Sequence, residues 1–128
     1  MVVRKPACVV FGGGGFIGTT LCWRLAESGH RVRAFGRRRL FPEAKGGLDR
    51  VAGDFTATAA TGAAIESFDV VFHLVHAAMP RAADLDMTGD VRKNVIPKLA
   101  LCRHLHGPDF QVLRIVNPYG PYQVALKS

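Results

Sequence analysis

The sequence predicts an α/β domain: a doubly wound parallel sheet, incomplete at about five strands, with helices on both faces. Three observations predict it. Short apolar runs of strand length alternate with longer stretches of helical period. The first strand pattern passes into the first helix pattern through four consecutive glycines, Gly12 to Gly15. No repeat and no long linker divides the 128 residues, so one domain, 1–128, is expected.

Ala7 to Phe11 (ACVVF) is a short apolar run and reads as a buried parallel strand. After the glycines, Ile17, Leu21 and Leu25 recur every four residues, with Cys22 and Ala26 beside them, and Gly29 is placed to close that helix. Arg31 to Phe35 alternates polar and apolar residues, as a second strand does. Val51 to Gly53 suggests a short third strand ending at Asp54, and the Ala/Thr-rich stretch from Ala57 to Ile65 a helix of weak propensity. Asp69 to Val75 (DVVFHLV) is the clearest strand pattern. From Asp84 to His106 the apolar positions Val91, Val95, Leu99, Cys102 and Leu105 keep to one helical face. Pro97 falls inside it, either kinking a long helix or sitting in the first turn of one capped by Asn94. Gln111 to Val116 (QVLRIV) reads as a last strand before the turn-rich segment Asn117 to Pro121.

Bulk properties exclude several classes. Hydrophobic residues make up 48% of the chain, too many for a disordered protein, yet no apolar run approaches the roughly 20 residues that span a bilayer. The first ten residues lack the apolar length and cleavage site of a secretory leader. Cys8, Cys22 and Cys102 are odd in number and widely separated, which fits neither a disulfide framework nor a zinc site. A cytoplasmic protein with no membrane partner is expected. The net charge of +7 is unusual, and five of the seventeen basic residues fall between Arg31 and Arg39. Nucleic acid would require interleaved aromatics or a helix-turn-helix pattern, and neither is present, so an anionic small ligand is the better reading. His73 and His76 lie three apart on a strand pattern and so face different ways, which argues against a metal pair.

The strongest motif is Gly12-Gly13-Gly14-Gly15-Phe16-Ile17-Gly18. It satisfies GxGxxG and GxxGxxG together, after a strand and at the start of a helix. A tight turn needs positive φ, a diphosphate approaches backbone only where no Cβ intrudes, and the helix N-terminus offers free N–H groups to it. A Rossmann-type dinucleotide site follows from that context. Where an NAD site carries an Asp or Glu at the end of the second strand, this chain has Gly36 and then Arg37, Arg38 and Arg39. Guanidinium groups pair with a 2′-phosphate by charge-assisted, often bidentate bonds, so NADP is favoured over NAD.

These residues resemble the extended short-chain dehydrogenase/reductase family, the NAD-dependent epimerase/dehydratases that act on nucleotide sugars. The segment from Val9 to Arg38 is similar to the family's opening strand, loop, helix and second strand. Val51-Ala-Gly-Asp54-Phe55 resembles its Gly-Asp-Leu segment, Asp69 to Leu74 its fourth strand, and Asp90-Val91 through Asn94-Val95 its next helix. Val112 to Gln123 resembles a strand and loop that normally lie well after the catalytic tyrosine. The resemblance implies a cofactor-binding set of Gly12, Gly15, Phe16, Ile17 and Gly18 at the phosphates and Arg37 at the 2′-phosphate. Asp54 and Phe55 would meet the adenine, with Leu74 and Val75 beside the cofactor.

The family's Ser or Thr and Tyr-x-x-x-Lys are missing. Tyr119 and Tyr122 are the only tyrosines, and Gln123 and Leu126 stand four residues beyond them. Residues 1–93 match the family, and 94–128 read as a deleted or rearranged remnant of the catalytic half, in a chain shortened at its C-terminus. No catalytic residue and no metal ligand is assigned. Losing a positioned general acid typically costs about two to four powers of ten in rate, so efficient turnover is not expected. The resemblance implies the NAD(P)-binding domain of an epimerase, dehydratase or reductase, with a nucleotide sugar as the second ligand. A non-catalytic NADPH-binding or regulatory partner, in a homo- or hetero-oligomer, is the alternative, as is a remnant without function.

Overall fold

The computed structural model describes residues 3–37, 48–75 and 85–104, with side chains to residue 101. Among the described residues, four parallel strands form one sheet in the order β3-β2-β1-β4: β1 (Cys8–Phe11), β2 (Val32–Gly36), β3 (Leu48–Ala52) and β4 (Val70–His73). Helix α1 (Phe16–Glu27) joins β1 to β2, and α2 (Thr58–Ile65) joins β3 to β4. A helical run follows, made of α3 (Met87–Asp90), a π-turn (Val91–Val95) and α4 (Ile96–His104). The expected strand over Gln111 to Val116 lies outside the described residues, as do Arg38, Arg39, His76 and both tyrosines. No helix among the described residues is long and apolar enough to cross a membrane.

Strand alternation divides the core into two. Val9 and Phe11 of β1 point to one face with Phe35, Phe55, Ala64 and Leu101. Val10 points to the other, against Cys22, Val32 and Ala34. The first face is covered by α2 and α4, the second by α1. All four residues of β1 are buried, which is why this strand reads as a continuous apolar run. Burial pushes the Cys22 thiol up to about 12, so it behaves as a small hydrophobe.

Strand β3 begins three residues earlier than its sequence pattern suggested. Leu48 to Ala52 pair in register with Val32 to Gly36, and Asp49 accepts a 2.8 Å bond from Arg33 Nε across the pair. Partner hydrogen bonds, rather than hydropathy, extend the strand through exposed Asp49 and Arg50.

The last helical run does not bury the apolar positions that its sequence period aligns. Val91, Val95 and Leu99 are exposed, at 44%, 43% and 59%, whereas Asn94, Pro97 and Leu101 are buried. Periodicity finds an apolar stripe but assumes uniform α turns, and here the phase breaks. Pro97 has no N–H for the carbonyl of Lys93, and the turn before it widens so that Ile96 N–H reaches Val91 O, five residues back. Docking on α2 through Leu101, inside the Phe55 and Ala64 cluster, then selects the buried side. Pro97 occupies the first turn of α4, but Asn94 does not cap it: its Nδ2 donates to Asp90 Oδ1 at 2.7 Å.

Candidate functional site

The C-terminal ends of the four strands converge on one pocket of about 430 Å³. In this order of strands the crossover direction reverses between β1 and β4, where open α/β sheets place their ligands. The glycine loop forms its floor. Gly12 has φ +84°, a conformation costly for any residue with a side chain, and a Cβ there would sit 3.2 Å from the Leu74 carbonyl carbon. The loop is tied to the sheet by Gly12 N–H donating to Phe35 O at 2.9 Å, and it closes on itself through Gly15 N–H to Gly12 O at 3.0 Å. Gly13 is held against β2, where a Cβ would come within 2.7 Å of the Ala34 Cβ.

Gly15 is the N-cap of α1 and offers no side-chain acceptor, and the first turn holds no acidic residue. The positive end of α1 is therefore left for a ligand's charge. The predicted residues divide into two sets. Gly12, Gly15, Arg37, Asp54, Phe55, Leu74 and Val75 all line the pocket. Phe16, Ile17 and Gly18 do not; they form the first turn of α1 and can contribute only backbone N–H groups.

Arg37 is exposed directly after β2. Asp54, after β3, accepts at one oxygen from Thr56 Oγ1 at 2.7 Å and Thr56 N at 2.9 Å. These bonds, the hydroxyl's first, hold its carboxyl below the usual carboxylate range, and the Arg37 guanidinium adds to the effect. The ring of Phe55 is turned into the core. It packs edge-on to Phe11 at 5.2 Å and stacks on His73 at 4.5 Å, leaving the residue 5% exposed. Its packing positions the Asp54 segment. Gly53 is required just before it, because a Cβ there would meet Phe35 Cζ at 2.5 Å.

Sequence reasoning missed Thr56 and Lys93 as pocket residues. Thr56 was findable, since Asp-x-Thr is the pattern of a side-chain-closed turn. Lys93 was not, because its direction depends on the π-turn.

The profile of the NAD-dependent epimerase/dehydratase family matches residues 8–111. A 2-alkyl-3-oxoalkanoate reductase of Stenotrophomonas maltophilia is 42% identical over 66 residues, covering 51% of this chain and 20% of that protein. Among solved structures, epimerase Mth375 of Methanothermobacter thermautotrophicus has the same fold at TM-score 0.71 and 21% identity, covering 79% of this chain and 32% of that one. MoeE5, solved with UDP-glucuronic acid and NAD, is similar at TM-score 0.66 and 28% identity, covering 77% and 32%. The chain thus spans about a fifth of the length of the curated relative and about a third of these solved structures. With its glycine loop, strand order and matched residues together, the chain belongs to the NAD-dependent epimerase/dehydratase family.

Proposed function

We propose that this chain binds NADP(H) at the C-terminal edge of its sheet, as the cofactor-binding part of an epimerase, dehydratase or reductase acting on a nucleotide sugar. One observation carries the cofactor choice: Arg37, with no carboxylate beside it in sequence, directly follows β2 at the rim of the glycine-loop pocket. A 2′-phosphate there would gain a charge-assisted partner, whereas a bare ribose would find no acceptor at that strand end.

The residues fit the group. Bare N–H groups of Phe16, Ile17 and Gly18 would face the diphosphate across a loop that holds no Cβ. Asp54, one oxygen held by Thr56, keeps the other as an acceptor for the adenine amine. Leu74 and Val75 would wall the nicotinamide half. When bound, the nicotinamide supplies hydride exchange. Nothing in the 128 residues repeats Tyr-x-x-x-Lys, which favours a second reading, in which the chain by itself binds cofactor without turnover. Three scattered cysteines, two of them buried and unpaired, suit a reducing cytoplasm.

Titration of the chain with NADPH and NADH, followed by the fluorescence of Trp23 or of the nicotinamide, tests both readings. NADPH is expected to bind about ten-fold tighter or more, as one added charge-assisted contact implies. Tighter NADH binding overturns the role of Arg37. Binding of neither ends the cofactor reading. Hydride exchange with a nucleotide sugar, catalysed by this chain alone, would overturn the non-catalytic reading.

A further inference from the structure

The helix wall of the pocket carries a cation to which the reading above gives no task. Lys93 lines the same cavity as Gly12, Gly15, Arg37 and Asp54, yet it comes from the π-turn Val91–Val95 rather than from a strand end. Two features hold it there. Its neighbour Asn94 is 4% exposed, so that side chain faces inward, and its Nδ2 donates to Asp90 Oδ1 at 2.7 Å one turn earlier, which braces the helical run at this turn. The bond from Ile96 N–H to Val91 O widens the turn, and wide turns of this kind re-aim side chains, often at functional sites.

Lys93 is exposed, and among the described residues no carboxylate lies within ion-pair distance of it, Asp54 in the same pocket included. An ammonium on a flexible four-carbon stem, facing a cavity whose floor is bare amides, is suited to a phosphate oxygen. Arg37 gives the cavity a second cation at the sheet edge, so the two approach a ligand from different walls. We propose that Lys93 is a phosphate-contacting residue of this pocket, closing on the dinucleotide from the helix wall while Arg37 acts from the sheet. The inference rests on the dinucleotide reading. The phosphate is either the 2′-phosphate or the diphosphate, which share the same chemistry.

The test is titration of the full chain and of its Lys93→Ala and Lys93→Arg variants with NADPH and NADH, with melting temperatures measured alongside. Lys93→Ala is expected to weaken NADPH binding about ten-fold, the size of one charge-assisted contact, and to flatten its salt dependence. Loss for NADPH alone assigns the 2′-phosphate; equal loss for NADH assigns the diphosphate. Lys93→Arg should recover most of the affinity, and the melting temperature should hold, since the side chain is exposed. Affinities within about two-fold of the wild type for both ligands overturn the proposal. So does a loss that tracks a lowered melting temperature and that Lys93→Arg leaves unrepaired. Failure of the wild type to bind either dinucleotide shows before any substitution and removes the underlying reading instead.

Discussion

Gly18 stands against the carbonyl oxygen of Gly12 so closely that a Cβ built on it would overlap that oxygen, and it would lie 2.8 Å from the Gly12 carbonyl carbon and 2.9 Å from Gly13 Cα. The first turn of α1 therefore rests directly on the loop it follows. Gly18→Ala must push helix and loop apart, and neither backbone can yield as a flexible side chain would. We expect a loss of about 1–3 kcal/mol, as for overpacked sites, and a melting temperature lower by about 3–6 °C for each kcal/mol. Thermal melting followed by circular dichroism checks it. An unchanged transition would show that the helix does not rest on the loop.

Arg37→Glu should invert cofactor preference. A carboxylate at that strand end repels a 2′-phosphate and accepts from a ribose hydroxyl, so NADPH affinity should fall by at least about ten-fold while NADH affinity rises. Paired titrations read the ratio. Equal losses for the two cofactors would mean that Arg37 meets the diphosphate instead. The substitution also removes a cation near Asp54, though Thr56 makes the larger contribution to keeping that carboxyl ionised, so the adenine side should hold.

The parts that the sequence made legible were those governed by local chemistry. The glycine spacing, the run Cys8–Phe11 and the alternation into β2 reported strand, loop, helix and strand because each residue type there has one physical use. Arg37 and Asp54 were legible for the same reason, as chain positions one or two residues beyond strand ends. What local reasoning missed was decided by contacts distant in sequence. Leu48, Asp49 and Arg50 join β3 only because β2 offers hydrogen bonds. Lys93 faces the pocket only because Pro97 denies the Lys93 carbonyl its donor and the turn widens. Phe55 lines the pocket as read, but its ring packs on Phe11 and His73, a partnership no spacing announces.

That aromatic packing has its own consequence. Phe55 joins the Asp54 segment to β1 and β4 at once, so Phe55→Ala opens a cavity on the α2 side of the sheet and unseats the pocket rim. Truncating a buried phenylalanine costs about 3–5 kcal/mol, a large share of a small domain's stability of about 5–15 kcal/mol. Phe55→Leu should cost less than half as much. Urea unfolding of the two variants tests the order. A smaller cost for alanine than for leucine would show that the ring is not a core contact.

Asp69 links the start of β4 to the chain before β1, and this link sets the expected response to acid. Its Oδ2 accepts from Ala7 N–H at 2.7 Å and from Arg4 at 3.1 Å, while its own N–H donates to Ala7 O at 2.9 Å. The Ala7 bond first, then the charge of Arg4, holds the carboxyl below its ordinary value of 3.8, and Asp54 is held low as well. A carboxyl lowered in the folded state stabilises the fold at every pH above its unfolded value. That stabilisation is lost as pH falls through the lowered folded value, when both states become protonated. The urea midpoint should therefore be flat near neutrality and drop below about pH 4. Asp69→Asn should lower the neutral plateau and shrink the drop, bringing the two proteins together in strong acid. If the two curves instead coincide across the whole range, the carboxylate's charge is not what secures Ala7, and an amide serves that contact equally well.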